Sequence, residues 1–351
     1  MSQHPSRLVF TPTESSNAAE KHVDELEKNK GGGMPLYIPK MEYNPDKGTG
    51  FLPVKRGELI TVTGRPGNGK TGFMFHWARA RARDLQKQAM LGDAVAANSV
   101  VVYWTMEQMV EELRLFHVAA EDGTSATDMA NGKLSKEQWD GVRGTLRQLY
   151  NTPLWLAGKS FARRKDKIKL TEETLRGALE SIETWTGDTV KTQVDSVFVD
   201  YLQRFRAGTG DWVQYYGDLV NALKDMAGDF ASRVVVGVQA KREVDQRKTP
   251  IPMMDDGQWT SSIEHQADGM ISVVRPSHYV PQKGFWDEGK QNVLVEGHKQ
   301  MLIYVTKRKL GPENFDSWVN FAPEYNKMDE AELASFNPNK DFDDPKEASR
   351  V

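Results

Sequence analysis

A glycine-rich stretch that ends in a lysine and a threonine has the clearest potential for chemistry in this sequence. It fits the pattern G-x-x-x-x-G-K-[ST], in which backbone N–H groups curl around phosphate oxygens. We expect Lys70 to contact the β- and γ-phosphates of a nucleoside triphosphate and the Thr71 hydroxyl to bind Mg²⁺. The residues of this loop are Gly64, Arg65, Pro66, Gly67, Asn68, Gly69, Lys70, Thr71 and Gly72.

The segments on both sides of the loop have the structure that the pattern requires. Residues 59–63 are apolar and β-branched, which predicts a buried strand. After Thr71, the apolar residues recur at helical spacing, which predicts a helix whose N-terminal dipole favours a bound anion. These apolar residues are Phe73, Met74, Trp77 and Ala78. Because strand, loop and helix follow in this order, an ordinary glycine turn is disfavoured.

Two further apolar segments end close to carboxylates. Residues 99–105 precede Glu107, and the strand predicted at residues 194–200 ends in Asp200. The carboxyl ends of parallel strands meet at the ligand-binding edge of an α/β sheet. There Glu107 can polarise a water for attack on the γ-phosphate, and Asp200 can hold the Mg²⁺ shell. For Glu107, a purely structural role at a helix N-terminus stays open. For Asp200, a turn cap is less favoured beside a phosphate loop.

Three more strands are predicted after the second carboxylate. Residues 233–238 end at Gln239, whose amide can sense the γ-phosphate or simply form a hydrogen bond in a turn. Strands at residues 269–274 and 301–306 follow. The remaining predicted elements are a helix with Leu113, Phe116 and Val118 inward, a capping box of Ser135 and Gln138, a strand at 154–156, and helices at 171–185 and 212–226.

Three polar segments connect these elements. Residues 240–262 form a long loop with prolines, and loops of this length within a domain are usually functional. Residues 276–300 are an irregular excursion. Residues 161–169 are a basic run, which is either a solvated loop or a contact for nucleic acid.

The composition limits the classes to which the protein can belong. A chain of 351 residues suffices for one large α/β domain or two small ones, and the continuous pattern favours one. The absence of cysteine excludes a disulfide framework and thiolate metal sites, which suits the cytoplasm. A formal net charge of −3 restricts any nucleic-acid contact to local loops. No signal sequence or membrane-spanning window is visible, so we expect no membrane association.

The pattern divides the chain into three parts. Residues 1–40 are a polar arm or linker, residues 41–328 are the α/β domain, and residues 329–351 are an acidic, disordered tail. Within the arm, Ser15-Ser16 can cap a helix to about residue 30. Two interpretations of this helix are equally supported: a frayed, solvated segment, or an arm that docks on a neighbouring subunit. Its narrow apolar stripe consists of Ala19, Val23 and Leu26.

The order of these elements resembles the RecA-type motor domain of the DnaB family of hexameric replicative helicases. The resemblance extends from about Pro53 to Tyr325. The most specific match is VFVDYLQ, at residues 197–203. The other matching segments are GRPGNGKT (64–71), YWTMEQ (103–108), GKLSKEQW (132–139), VQAKREVDQR (238–247), PMMDD (252–256), SSIEHQAD (261–268) and KRKLGP (307–312).

The resemblance implies a RecA-like α/β fold and an ATPase that uses ATP and Mg²⁺. It further implies a homo-hexameric ring, with nucleotide between subunits and single-stranded DNA in a central channel, translocated from 5′ to 3′. Glu107 carries over as the catalytic base, Asp200 as the Mg²⁺ partner and Gln239 as the γ-phosphate sensor. The residues implied in DNA binding are Arg242, Arg247, Gly257, Gln258, Trp259 and Thr260.

Three departures from the family pattern bear on partners and mechanism. The family's N-terminal helical domain, which binds primase and forms a collar, has no counterpart in residues 1–50, so a loader or primase as partner is in question. The channel loop carries Gln258-Trp259-Thr260-Ser261 where the family has Arg-Glu-Ser-Gly. The arginine that acts on the neighbouring subunit aligns with Lys309, one residue after Arg308.

The run Lys307-Arg308-Lys309 is expected to lie in an exposed turn that reaches the neighbour's γ-phosphate. Adjacent residues of an extended segment point to opposite sides, so Lys307 and Lys309 face the same way. We therefore predict a lysine finger, and a local bulge that presents Arg308 is the alternative. A solvated edge with no catalytic role stays open.

Three functions are compatible with these observations. The leading one is an ATP-driven helicase that translocates on single-stranded DNA. The second is a RecA-like ATPase that binds DNA without unwinding it, as in recombination, transposition or defence. The third is an oligomeric ATPase that does not act on DNA. Unwinding of a forked duplex separates the first two.

The channel loop generates the first prediction. If a base stacks on Trp259, the substitution Trp259→Ala weakens binding of single-stranded DNA by roughly 1–3 kcal/mol. The affinity is measured by fluorescence anisotropy of a labelled oligonucleotide. Unchanged affinity would mean that Trp259 is a packing residue.

Overall fold

The computed structural model describes residues 33–162, 171–185, 192–205, 211–247, 250–258, 262–275, 279 and 300–330, together with scattered positions from 12 to 23. Its strands are β1 (Leu59–Gly64), β2 (Ser99–Thr105), β3 (Leu154–Gly158), β4 (Gln193–Asp200), β5 (Arg233–Gln239), β6 (Gly269–Val274), β7 (Gln300–Arg308), β8 (Phe315–Ala322) and β9 (Lys327–Glu330). Its α-helices are α1 (Lys70–Met90), α2 (Ala94–Ala97), α3 (Val110–Asp122), α4 (Ala126–Ala130), α5 (Lys136–Gln148), α6 (Glu172–Trp185), α7 (Trp212–Asp229) and α8 (Ser262–Gln266).

All these strands form one sheet, in the order β3-β2-β4-β5-β1-β6-β7-β8-β9. The strands from β3 to β6 in this order pair in parallel, and β7, β8 and β9 extend the sheet with antiparallel pairs. The expected α/β fold with a mostly parallel sheet is therefore confirmed. Strands β1, β4 and β5 lie side by side, which brings the phosphate loop, Asp200 and Gln239 to one edge of the sheet.

Helices cover both faces of the sheet, which explains why the strands are apolar throughout. In β4, Phe198 faces α1 and packs edge-on against Trp77, with ring centroids 5.8 Å apart. Val197 and Val199 point to the other face, where they join the core that α6 and α7 complete. A strand buried on both faces reads as a continuous apolar run rather than an alternating one. The sequence pattern therefore identified the central strands correctly.

Residues 35–40 belong to the α/β domain and not to the arm in which the sequence placed them. The indole N–H of Trp77 donates to the carbonyl of Pro35 at 2.7 Å, and Leu36 and Ile38 are buried. The chain accordingly divides into Met1–Met34 and Pro35–Val351. The predicted boundary was wrong because the polar composition of the preceding residues was extended to this segment, whose own sequence, PLYIPK, is mostly apolar.

The first unit is helical at its described positions between Pro12 and Val23. Because the chain is already helical at Pro12, the predicted caps Ser15 and Ser16 lie within the helix instead of at its start. The side chain of Val23 is exposed, and Leu26 lies outside the described residues. Docking of this helix on a neighbour stays a prediction.

Several other boundaries differ from the expected ones. Strand β7 continues to Arg308, so two members of the basic run at 307–309 lie in a strand and not in a turn. Strands β8 and β9 were not predicted, and β9 takes in the first two residues of the expected tail at 329–351. The loop at 240–262 contains 3-10 turns at Arg242–Gln246 and Met254–Asp256, and α8 begins at its last residue. The basic run beyond residue 162 lies outside the described residues, as do most of residues 276–299.

A buried ion cluster joins α1 to two central strands. The carboxylate of Asp195 in β4 accepts hydrogen bonds from Arg81 at 2.8 and 2.9 Å and from Arg233 at 2.7 Å. Arg56 lies 3.8 Å from the same carboxylate. Burial alone would raise the pKa of Asp195, but the hydrogen bond from Arg81 and the charge of Arg233 outweigh it and hold the pKa below its ordinary value. Arg81 also pairs with Asp84 at 2.7 Å, whereas Asp195 is the one carboxylate that pairs with Arg233 among the described residues.

We expect Asp195→Asn to lower the free energy of unfolding by about 3–5 kcal/mol, because it leaves the buried Arg233 without a countercharge. Because the folded pKa is depressed, the stabilisation is complete above the unfolded pKa of about 3.9 and is lost as the pH falls below it. Urea unfolding at pH 7 and at about pH 3 measures both effects. The control is Asp140→Asn, which removes an exposed partner of Arg143 and should cost less than about 1 kcal/mol. Equal losses in the two variants would contradict the prediction.

Candidate active site

The glycine-rich loop joins the end of β1 to the start of α1 through conformations that glycine adopts without strain. Gly67 has a φ of 79°, and Gly69, which precedes α1, has a φ of 86°. A Cβ atom on Gly69 would lie 2.3 Å from Cε of Met301, so β7 closes one side of the loop. The free N–H groups and the dipole at the start of α1 suit this loop to a phosphate.

The Lys70 ammonium lies inside the loop, as the sequence predicts for a phosphate-binding lysine. It donates to the carbonyl oxygens of Gly64 at 2.7 Å and Arg65 at 3.3 Å. Burial lowers its pKa to about 8, and the charge of Asp200 opposes this shift. An ammonium held by two carbonyl oxygens and largely stripped of water attracts a phosphate strongly.

Asp200 is buried at the end of β4 and meets the loop there. The Tyr103 hydroxyl donates to its Oδ2 at 2.9 Å, and the Thr71 side chain also hydrogen-bonds the carboxylate. Burial raises the pKa of Asp200, whereas these two hydrogen bonds and the charge of Lys70 oppose the rise. Its Oδ1 is buried and has no partner among the described residues.

The oxygen atoms of Asp200 and Thr71 fit Mg²⁺. A buried carboxylate oxygen without a donor, next to a hydroxyl, offers the hard oxygen ligands that this ion prefers. The described part of the chain holds no cluster of three or more His, Cys, Asp or Glu side chains that would bind a metal by itself. These residues therefore suit an ion that completes its coordination with water and phosphate oxygens.

Glu107 follows β2 at the same edge of the sheet, and its side chain is 48% exposed. Arg204 donates from Nη2 to Oε1 of Glu107 at 2.5 Å. The guanidinium of Arg204 also lies 5.6 Å from the ring centroid of Tyr201. Sequence reasoning missed Arg204, although its place directly after VFVDYLQ was a signal, since a turn after that strand must lie beside the site.

Gln239 ends β5, and its backbone connects two segments around the site. Its N–H donates to Oε1 of Gln203 at 3.0 Å, and its carbonyl accepts from the N–H of Gln258, also at 3.0 Å. Gln203 lies in the 3-10 turn Leu202–Arg204 after β4. The residue predicted to sense the γ-phosphate is therefore joined both to this turn and, through Gln258, to the loop at 240–262.

Arg65 and Asn68, in the middle of the loop, contact residues of the segments that follow β5 and β6. Arg65 donates to Asp245 at 2.8 Å and to the carbonyl of Ala240 at 2.9 Å. Asn68 donates to the Tyr279 hydroxyl at 3.1 Å, and that hydroxyl donates to Asp245 at 3.2 Å. These contacts were not predictable from the sequence, because the residues that form them come from distant segments.

The residues predicted to bind DNA are only partly described. Arg242 is exposed, whereas Arg247 makes two hydrogen bonds to Asp256, at 2.6 and 2.7 Å. Gly257 is buried and pairs with Ala240 in a β-bridge. Trp259 and Thr260 lie outside the described residues, so their DNA contacts stay predictions. Gln258 is half-buried next to them.

The alternative that a bulge presents Arg308 to a neighbouring subunit is wrong. Its guanidinium is buried within its own chain, where it donates to the carbonyls of Leu52 at 2.8 Å and Pro53 at 2.9 Å. It also pairs with Glu58 at 2.8 Å and lies 5.3 Å from the ring centroid of Phe51. A register shift does occur between β6 and β7, yet Arg308 stays in the interior because these partners satisfy it.

The two lysines on either side of Arg308 contact other residues of their own chain. Lys307 donates to the carbonyl of Glu264 at 2.6 Å. Lys309 is 62% exposed and lies 3.4 Å from Asp268. Asp268 is buried and also pairs with Lys224 at 2.5 Å, so it is not left without a cation if the exposed Lys309 binds another anion. Its role as a finger stays a prediction.

Comparison with known proteins agrees with the resemblance found in the sequence. Residues 47–330 match the family model described as DnaB-like helicase C terminal domain. The replicative DNA helicase DnaB of Synechocystis sp. is 24% identical over 279 residues, which cover 76% of this chain and 28% of that protein. The replicative DNA helicase DnaC of Bacillus subtilis (strain 168) is 24% identical over 313 residues, which cover 88% of this chain and 59% of that protein.

The solved structure of a DnaB-like replicative helicase and its interactions with primase shares the fold. It has a TM-score of 0.67 and 19% sequence identity, over 90% of this chain and 66% of that chain. The present chain spans at most 59% of the length of the two helicase relatives. Within the described residues, no helix combines the length and the apolar character needed to cross a membrane.

We expect Lys70→Ala to abolish the binding of a nucleoside triphosphate, because the loop loses its buried positive charge. Titration with a fluorescent, slowly hydrolysed ATP analogue measures the dissociation constant. The matched control is Lys87→Ala, which removes an exposed lysine from the same helix and should leave the affinity unchanged. Retention of wild-type affinity in Lys70→Ala would exclude this loop as the phosphate site.

Proposed function

The chain belongs to the DnaB-like helicase C-terminal domain family, and from that premise we propose that it is the ATP-driven motor of a DNA helicase. One observation carries the proposal. Lys70, Asp200 and Glu107 come from three different segments and converge at the carboxyl edge of one sheet. A phosphate-binding cation, a metal-binding carboxylate and an accessible base at one edge are the parts that triphosphate hydrolysis requires.

In this proposal each residue has a separate role in hydrolysis. The glycine loop and Lys70 bind the phosphates of ATP. Thr71 and Asp200 hold Mg²⁺, which neutralises charge on the phosphate oxygens when bound. Glu107 accepts a proton from the attacking water. Gln239 senses the γ-phosphate at the end of β5.

The segment from 240 to 262 is proposed to face single-stranded DNA in the channel of a homo-hexameric ring, with movement from 5′ to 3′. Its exposed Arg242, together with Gln258 and its neighbours Trp259 and Thr260, supplies the contacts, and bases stack on the tryptophan. Arg247 serves this loop by holding Asp256. A few cationic residues in this loop suffice for the DNA contact, which is compatible with the formal net charge of −3.

Contacts between subunits complete the proposed ring. Lys309, with Lys307 beside it, reaches the γ-phosphate bound by the neighbouring subunit and stabilises charge during transfer. The N-terminal helix that carries Ala19 and Val23 docks on a neighbour. A loader or primase as partner stays an expectation from the resemblance.

A DNA-binding ATPase without unwinding activity is the second candidate. It would use the same hydrolytic residues, so hydrolysis alone does not separate the two. The helicase is favoured because the relatives that cover most of this chain are named replicative DNA helicases.

The test is ATP-dependent unwinding of a forked duplex with a 5′ tail. Glu107→Gln should bind ATP with wild-type affinity yet lose hydrolysis and unwinding by about 10²-fold or more, because an amide does not accept the proton. Glu42→Gln, an exposed glutamate away from the sheet edge, is the matched control. DNA-stimulated hydrolysis without strand separation would favour the second candidate. Wild-type turnover in Glu107→Gln would overturn the catalytic assignment.

A further inference from the structure

The 3-10 turn Leu202–Arg204 carries two adjacent side chains that bind opposite parts of the site. Gln203 accepts from the backbone N–H of Gln239 at 3.0 Å. Arg204 donates to the Glu107 carboxylate at 2.5 Å. One short turn therefore connects the segment that leads to the DNA-facing loop with the proposed base of the hydrolytic reaction.

The pair of Arg204 and Glu107 limits what the carboxylate can do. A general base needs a free lone pair within reach of water, and the guanidinium of Arg204 occupies one oxygen of the Glu107 carboxylate. Arginine stays charged at any working pH, so the pair ends only if the side chains separate. The side chains are 47% and 48% exposed, and such solvent-accessible pairs are worth little, so separation is easy.

Contacts anchor the backbone of the turn Leu202–Arg204. We therefore expect its side chains, and not its main chain, to move when a neighbouring segment shifts. Leu202 and Phe205 are buried on either side of the turn. The Tyr216 hydroxyl lies 3.2 Å from the carbonyl oxygen of Gln203 and 3.1 Å from that of Phe205. These contacts anchor the main chain and leave the Gln203 and Arg204 side chains to respond to their neighbours.

A series of hydrogen bonds leads from the loop to the turn. The N–H of Gln258 donates to the carbonyl of Gln239, whose own N–H donates to Gln203. Nε2 of Gln203 is buried and has no partner among the described residues. A buried donor without a partner costs free energy, and a second arrangement of this side chain would recover that cost. The turn therefore has a physical reason to adopt two states.

We propose that Arg204 is a positioning residue that withholds Glu107 from the attacking water until single-stranded DNA occupies the loop. Binding at the loop shifts Gln258, and the shift passes through Gln239 and Gln203 to the neighbouring Arg204, which then releases the carboxylate. This inference rests on the proposed function, since it uses Glu107 as the base and the loop as the DNA contact. It adds a residue and a route that connect the two.

The steady-state ATPase rate without DNA is the decisive measurement. In Arg204→Ala, kcat without DNA should rise about two- to fivefold, the range expected when a weak exposed ion pair is removed. The KM for ATP should not change, because Arg204 does not contact the phosphate loop's lysine. Arg204→Gln keeps much of the side chain over Tyr201 but lacks the charge, and it should behave like Arg204→Ala. Arg204→Lys should restore the low rate.

Two further variants test whether the effect of DNA on the ATPase rate passes through Gln203 and Arg204. Gln203→Ala should lower the ratio of DNA-stimulated to basal rate toward one while it retains affinity for single-stranded DNA. Arg143→Ala removes an arginine from another exposed ion pair, with Asp140, and should leave kcat and DNA stimulation as in the wild type. Thermal unfolding of each variant reports its folding.

The outcomes distinguish this inference from the proposed function. A fall of kcat in Arg204→Ala, with or without DNA, would overturn the inference, because Arg204 would then assist catalysis. An unchanged basal rate in both Arg204→Ala and Arg204→Gln would overturn it as well. Wild-type protein that hydrolyses ATP without any response to DNA would contradict the proposed function, and the basal rate of Arg204→Ala would still decide whether the arginine restrains the base.

Discussion

Lys70 and Asp200 are opposite charges that the fold buries at the same edge of the sheet. Burial lowers the pKa of Lys70 to about 8 and raises that of Asp200, and in each case the charge of the other residue opposes the shift. Each therefore helps to keep the other ionised where little water is present. The parallel register of β1 with β5, and of β5 with β4, fixes their relation, so the sheet is a structural condition for the charge pair.

The central part of the fold was predictable because its physics is local. Strands β1, β2, β4 and β5 are apolar runs bounded by polar turns, and buried parallel strands read in this way. The residues at their carboxyl ends, including Glu107, Asp200 and Gln239, follow from the rule that ligands bind at that edge. The glycine loop was predictable from its sequence motif alone. For these residues, a position at the carboxyl end of a strand already determines a place at the ligand-binding edge of the sheet.

What escaped prediction depends on contacts between distant segments. Arg308 belongs to a run of three cations and reads as exposed, yet Glu58 and two backbone carbonyls of the segment before β1 hold it inside. Residues 35–40 directly follow a polar arm and were assigned to it, but Trp77 hydrogen-bonds Pro35 and joins them to the domain. Arg204 lies directly after a recognised motif, and nothing in its spacing indicates that it pairs with Glu107. In each case a tertiary partner overrides the local pattern.

The antiparallel side of the sheet touches the glycine loop directly. A Cβ atom on Gly69 would meet Met301, and one on Gly72 would meet Phe321 at 2.5 Å. These pairs come from opposite ends of the domain and are separated by most of its sequence. If related genes exchanged segments with a crossover between α1 and β7, the product would combine the glycine loop of one parent with the β7 and β8 side chains of the other. Functional chimaeras should therefore retain matched pairs at these positions, so the two ends of the domain are inherited as one unit.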